Sequence, residues 1–241
     1  MSNPPRIATI DILRGIAIVM MFVFHFSFDL NFFGYVEIHF LADPFWANFR
    51  RFIVGSFLFL MGISIFLANR KQLNIKHFTR RLILLFIFAL LVTLGSYFMF
   101  PESFIYFGIL HFIFVASILG LAFRRFYWFN LGLGIALLVL DTLYSHPMFD
   151  NPTINWIGFT THLPYTEDYV PLIPWFGVVL IGMFVGRALF SSTPPTWLAW
   201  QATNPVTKTL AFGGRHSLLI YILHQPIFIG LIALISGKGF V

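Results

Sequence analysis

Seven stretches of this chain are each long and apolar enough to cross a bilayer, and that feature decides most of what the chain can fold into. A spanning helix needs about 20 mainly apolar residues, because the hydrocarbon core is about 30 Å thick and a helix rises about 1.5 Å per residue. The segments are Ile10–Leu30, Phe49–Leu67, Phe78–Phe100, Ser103–Phe123, Phe126–Leu143, Pro171–Leu189 and Gly214–Ser236. The fifth is the weakest, being short, ending near Asp141 and interrupted by Gly132 and Gly134. None alternates apolar and polar residues as membrane barrel strands do. The expected class is therefore an all-α, polytopic membrane protein of about seven transmembrane helices, in a single domain over residues 1–241.

Composition closes the other routes. With 59% hydrophobic, 20% aromatic and 10% charged residues, the chain lacks the polar coating of a soluble domain, where about a quarter of residues are charged. That excludes a soluble enzyme, a disordered chain and a nucleic-acid binder, despite a formal net charge of +6. The absence of cysteine excludes disulfides, thiolate metal sites, Fe–S clusters and a cysteine nucleophile. No metal site is expected.

The few charges set an orientation. Arg6, the cluster Arg70, Lys71, Lys76, Arg80 and Arg81, the pair Arg124–Arg125, and Arg187, Lys208 and Arg215 fall on one side of the seven segments. Glu37, Asp43, Glu102, Asp150, Glu167 and Asp168 fall on the other, with Arg50, Arg51 and Lys238 as basic exceptions. Lys and Arg collect on the cytoplasmic side, so the N-terminus is expected inside and the C-terminus outside. The first segment resembles a secretory signal in outline but carries Asp11, Arg14, His25 and Asp29, so it is read as a retained helix. The longest connection, about Tyr144–Val170, is placed outside, and the one holding Pro194–Pro195 inside.

Ionisable groups inside a bilayer are costly and mark function by default. Asp11, Arg14, His25 and Asp29 share an arc of about 60° at 100° per residue. Arg14 and His25 lie about 16 Å apart along the axis at the usual helical rise. The stripe reads as a reaction channel: Arg14 meets an anionic group at the inner end, and His25 acts as a base oriented by Asp29 at i+4. The competing reading is a purely structural network. The seventh segment adds Arg215, Ser217, Tyr221, His224, Gln225 and Pro226. Ser217, Tyr221 and His224 share a face there, suited equally to a polar cavity and to ordinary interhelical packing. His111, in the outer part of the fourth segment, reads more readily as a packing residue, and His39 as a loop residue. Arg50 and Arg51 suit an acidic acceptor or pairing with Glu37, Asp43 or Asp168. Trp175, near Asp168, suits an interfacial anchor or a sugar platform. Gly182 and Gly186 form a small-xxx-small packing pair.

Several of these residues belong to recognisable runs. Arg6-Ile-Ala-Thr-Ile-Asp11-Ile-Leu-Arg14-Gly15 resembles the opening of transmembrane acyltransferases, and the Arg14 to His25 spacing resembles the acyltransferase-3 group. Phe59-Leu-Met-Gly62-Ile-Ser64, Asp168-Tyr-Val-Pro-Leu-Ile-Pro-Trp175-Phe-Gly177 and Gly214-Arg-His-Ser217-Leu-Leu-Ile-Tyr221-Ile-Leu-His224 follow in order. Together they are similar to bacterial relatives of the heparan-alpha-glucosaminide N-acetyltransferase catalytic domain, over nearly the whole chain.

The resemblance implies an enzyme of the bacterial cytoplasmic membrane. It would take acetyl-CoA, or another acyl-CoA, from the cytoplasm and deliver the acyl group to an amino or hydroxyl group of an outer sugar or glycan. Transfer is direct or passes through an acyl-histidine. The implied catalytic set is His25, Asp29, His39 and Asp168, with His25 first and His39 second as the reacting histidine. Asp11, Arg14, Arg215, Ser217, Tyr221, His224 and Gln225 are assigned to the acyl-CoA, and Arg50, Arg51, His111 and Trp175 to the acceptor. The lipid bilayer is the surrounding partner, and the oligomeric state is open, a homodimer included. Two rivals from other classes stand beside this reading. One is a b-type haem electron carrier with His25 and His111 as ligands; the other is a small-solute transporter, against which stands the lack of an internal repeat.

Overall fold

The computed structural model describes residues 7–70, 73–192, 198 and 201–237. Arg6, Lys71, Lys238 and the Pro194–Pro195 turn lie outside the described residues. Eight α-helices are present among the described residues: α1 (Ala8–Phe32), α2 (Pro44–Asn69), α3 (Ile75–Met99), α4 (Ile109–Phe123), α5 (Trp128–Leu143), α6 (Leu172–Phe190), α7 (Pro205–Arg215) and α8 (Ser217–Ser236). There is no strand among those residues. Five helices, α1, α2, α3, α6 and α8, are long and apolar enough to cross a membrane.

The expected fourth and fifth spans become shorter apolar helices of 15 and 16 residues. At about 1.5 Å per residue such helices fall short of a 30 Å core. The fourth loses its first six residues because Ser103–Gly108 is held by the long connection instead. Glu167 N donates to Ser103 O at 2.9 Å, and Thr166 Oγ1 donates to Phe104 O at 2.8 Å. The expected seventh span is also divided. Gly214 and Arg215 close α7, His216 leaves helical geometry at φ −106° and ψ 19°, and α8 starts at Ser217.

The chain forms two compact units. One comprises the residues up to Phe57 with those from position 194 onward; the other comprises residues 58–193. In the first, α1 packs closely against α7 at two glycines. A methyl group on Gly15 would run into the Leu210 carbonyl, and one on Gly214 into the Asp11 carbonyl. Ile18, Met21, Phe24, Phe40 and Ile53 form its apolar core, with Trp46, Phe49 and Tyr221 packed around them. The outward side of α1 is apolar, with Leu13, Ile16, Val19, Val23 and Phe26 all exposed, whereas Asp11 and Asp29 are buried at 9% and 2% exposure. Polar groups inside and apolar groups outside is the arrangement a lipid solvent selects.

In the second unit, α5 packs on α6 through Gly134 and Gly177, whose backbones leave no room for a side chain at either position. The glycine that weakens α5 as a sequence pattern is thus the one that lets it pack. The Gly182–Gly186 pair of α6 meets α2 at Phe59 and Ile63, and Gly62 of α2 meets Val179 and Met183 in return. Close approach of small residues is the expected association mode in lipid. The long connection folds on itself through Asp150, whose Oδ1 and Oδ2 accept from Thr161 N at 2.7 Å and Thr161 Oγ1 at 2.6 Å. Tyr169 is buried there and donates to Asn155 O at 2.7 Å; burial pushes its hydroxyl up to about 12.

Candidate functional site

The polar stripe of α1 meets the polar face of α8 near the outer end predicted for the first span. Asp29 Oδ1 accepts from Gln225 Nε2 at 2.7 Å. One turn earlier, the His25 ring lies against His224, with centroids 4.8 Å apart and planes at 64°. His25 forms no hydrogen bond to Asp29, so the i+4 orientation anticipated from spacing is replaced by contacts to α8. Arg50 of α2 lies within electrostatic range of His25.

His224 is the best oriented of the two rings. Its Nδ1 is 2.6 Å from Tyr221 O. A carbonyl can only accept, so Nδ1 carries the proton and Nε2 presents a lone pair. That Nε2 is buried and has no hydrogen-bond partner among the described residues, and the same holds for Asp29 Oδ2 and Gln225 Oε1. Phe22 stacks on the His224 ring at 5.9 Å and Phe228 meets it edge-on at the same distance. The result is an aromatic-walled cluster in which three buried polar atoms from two helices lack partners among the described residues. Buried polar atoms are normally satisfied, so these three are the open hydrogen-bonding positions where α1 meets α8. Pro226, which has no N–H to donate to the Ile222 carbonyl, lies in the same turn of α8.

At the other end of the stripe, Arg14 Nη1 pairs with Asp11 Oδ1 at 3.2 Å. Arg215 is exposed, and its Nε donates to Ala211 O at 3.1 Å, closing α7. Ser217 begins α8 without a hydrogen bond of its own among the described residues. Tyr221 contributes its carbonyl to His224 and its ring, 5.6 Å away, to the wall. His39 is exposed in the loop before α2, where its carbonyl accepts from Ala42 N and Asp43 N. Arg51 donates to Asn48 Oδ1 at 3.1 Å on its own helix.

The remaining sequence-derived residues belong to the second unit. Asp168 Oδ2 accepts from Ile109 N at 2.7 Å and so caps α4. His111 is engaged at both nitrogens. Its Nδ1 accepts from Gly108 N at 3.2 Å, while Nε2 lies 3.1 Å from Thr93 Oγ1, whose single hydroxyl proton goes to Ile105 O. The Nε2 atom must therefore be the donor to Thr93. Both nitrogens of His111 are thus occupied by hydrogen bonds within the second unit. Trp175 is half-buried in the first turns of α6. No cluster of metal-ligating side chains occurs among the described residues.

The sequence pattern picks out Asp29, His224 and Gln225 but places Asp29 in the catalytic set and the other two with the acyl-CoA. The fixed tautomer of His224 was not legible, because it depends on a side-chain rotamer. The spacing of Tyr221 and His224, three residues apart, was its only sequence signal.

An all-helical, polytopic chain with ionisable groups turned inward and lipid-facing apolar helices defines an integral membrane protein with a polar site within its helices. The family model of the heparan-alpha-glucosaminide N-acetyltransferase catalytic domain matches residues 6–226. The chain belongs to that family, whose members are membrane acetyltransferases. No curated protein and no solved structure matches the chain.

Proposed function

We propose that the protein transfers an acetyl group from cytoplasmic acetyl-CoA to an amino or hydroxyl group of a glycan on the outer side of a bacterial inner membrane, with the His25–His224 pair as its acid–base centre. The observation that carries this reading is the unpartnered, buried Nε2 of His224 beside His25, in a chain of this family. His224 has what a general base needs: a lone pair on one nitrogen and an orienting acceptor on the other.

The proton balance is simple. The acceptor N–H or O–H attacks the thioester carbonyl and gives its proton to the His224 Nε2 lone pair. The carbon–sulfur bond breaks, and the imidazolium returns the proton to the departing thiolate. The His25 ring, its centroid 4.8 Å from that of His224, packs edge-on against the base and helps to fix its position. Asp29 Oδ2 and Gln225 Oε1 accept from the acceptor's neighbouring hydroxyl or amide groups. At the inner end, the Arg14–Asp11 pair is the cationic element nearest the donor's phosphates. This assignment needs the N-terminus inside, as the distribution of Lys and Arg indicates.

The test is transfer of labelled acetyl from acetyl-CoA to a panel of envelope glycans by protein reconstituted in vesicles, with product mass read directly. Acetylated glycan formed by the wild-type protein and lost in His224→Ala supports the reading. Accumulation of a solute without consumption of acetyl-CoA overturns it in favour of transport.

A further inference from the structure

Outside the histidine site, the second unit carries a concentration of positive charge that the proposed chemistry leaves unused. Arg70, Arg124, Arg125 and Arg187 line an open recess of about 670 Å³, with Phe66 and Leu73 forming its apolar wall. The arginines come from the ends of α2, α4 and α6 and the turn after α4. Among the described residues no Asp or Glu lines the recess, and none of the four arginines is in an ion pair. Four like charges that converge without a carboxylate repel one another, and an anion relieves that repulsion.

Two of the four guanidinium groups, those of Arg70 and Arg187, are held by hydrogen bonds. Arg70 Nη1 donates to Phe190 O at 2.7 Å, the last carbonyl of α6. Arg187 Nη1 donates to Arg125 O at 2.9 Å, and its head lies over the Tyr127 ring at 5.1 Å. Each guanidinium has five N–H donors, so one bond to a carbonyl fixes the head and leaves the rest of the fork for a ligand. Two arginines pinned at a common rim form a preset phosphate receptor, since the fork matches phosphate oxygens in pairs.

The surroundings decide what bears the phosphate. Immediately after the Arg124–Arg125 pair come Phe126, Trp128 and Phe129, exposed at 50%, 70% and 55%. An exposed Trp next to a basic cluster marks the level of lipid headgroups, and the two Phe beside it extend the apolar surface. A soluble anion needs no such apolar ridge beside it, whereas a phospholipid lays its acyl chains there.

We propose that this recess binds the phosphate of an anionic phospholipid, with the four arginines on the headgroup and the Phe126–Phe129 ridge against its chains. Basic pockets between transmembrane helices hold anionic headgroups by the same electrostatics.

Native mass spectrometry of the full chain, released from nanodiscs of equal phosphatidylglycerol and phosphatidylcholine, tests this. The wild-type protein is expected to retain phosphatidylglycerol preferentially. Each lost arginine should reduce that preference about fivefold, so Arg124→Gln with Arg125→Gln removes most of it, while the Arg124→Lys, Arg125→Lys variant keeps much of it. An unchanged melting temperature in phosphatidylcholine alone shows that the glutamine variant is folded. If the double variant does not fold, Arg124→Gln and Arg125→Gln singly carry the same comparison. Equal retention of the two lipids, or full retention by the glutamine variants, overturns the proposal. So does displacement of bound phosphatidylglycerol by millimolar inorganic phosphate or CoA, which would mark a soluble-phosphate site.

Discussion

Gln225 of α8 donates its amide to the buried carboxyl of Asp29 on α1 across 2.7 Å, and this bond ties the last helix to the first. Removing one partner leaves the other buried without a donor or acceptor, which costs about 1–3 kcal/mol, whereas replacing both with apolar groups is nearly neutral. Gln225→Leu and Asp29→Leu should each lower the melting temperature by several degrees. The double variant should recover much of the loss. Additive losses in the double variant would show that the two side chains do not act on each other.

The histidine pair predicts a loss confined to the chemical step. A general base contributes about 10²- to 10⁴-fold. His224→Ala and His25→Ala should each lower kcat for acetyl transfer by at least about 10²-fold, with acetyl-CoA binding and melting temperature changed little. His39→Ala, at an exposed loop position, should keep activity within a few-fold. Comparable losses from all three would return the chemistry to the loop histidine.

Two glycines at the α1–α7 crossing carry a prediction about packing. The carbonyls of Leu210 and Asp11 occupy the positions that methyl groups on Gly15 and Gly214 would take. Because both obstacles are backbone, no side-chain rotation relieves the clash. Gly15→Ala and Gly214→Ala should each destabilise by the 1–3 kcal/mol typical of overpacking, or more. Gly230→Ala, which meets no neighbour within 4 Å, is the matched control and should be neutral or slightly stabilising. Melting temperatures in one detergent compare the three.

Helix content was legible because apolar run length reports directly on a lipid-solvated helix. The breaks were not. Ser103–Gly108 is apolar enough to continue α4, yet it is drawn out of the helix by Thr166 and Glu167, more than 60 positions away. The α7–α8 break falls at His216, two residues after Gly214 packs against the Asp11 backbone, a non-local contact that no sequence pattern announces. In the site, helical periodicity brought Asp11, Arg14, His25 and Asp29 to one stripe. Which partner each would choose depended on α8, so the expected His25–Asp29 pair gave way to His25–His224 and Asp29–Gln225.

Asp168 separates a structural from a chemical role. Its carboxylate accepts from the Ile109 N–H, one of the otherwise unpaired donors at the start of α4. Loss of such a cap costs about 0.5–2 kcal/mol. Asp168→Ala should therefore lower stability by about that amount, and Asp168→Asn, whose side-chain oxygen can still accept, by less. Acetyl transfer per folded molecule should stay within a few-fold in Asp168→Asn. A loss of 10²-fold or more there would make the carboxylate part of the chemistry.

Acid should open the long connection at a point set by Asp150. The Thr161 hydroxyl hydrogen bond, aided by the Thr161 backbone N–H and by His162 at 3.6 Å, holds the Asp150 carboxyl below its ordinary value. A depressed folded value means that the unfolded loop binds the proton more readily. The contribution of Asp150 is then fully present above the ordinary carboxylate range near 4 and is lost as pH falls through the depressed folded value. Hydrogen exchange at the Thr161 amide should therefore be insensitive to this group between about pH 5 and 7 after correction for intrinsic rates, and protection should fall below about pH 4. Thr161→Val removes the hydroxyl donor and keeps the backbone bond, so its loss of protection should begin at higher pH. Asp150→Asn should abolish the acid dependence altogether. An unchanged acid transition in Asp150→Asn would assign it to another carboxylate of the connection.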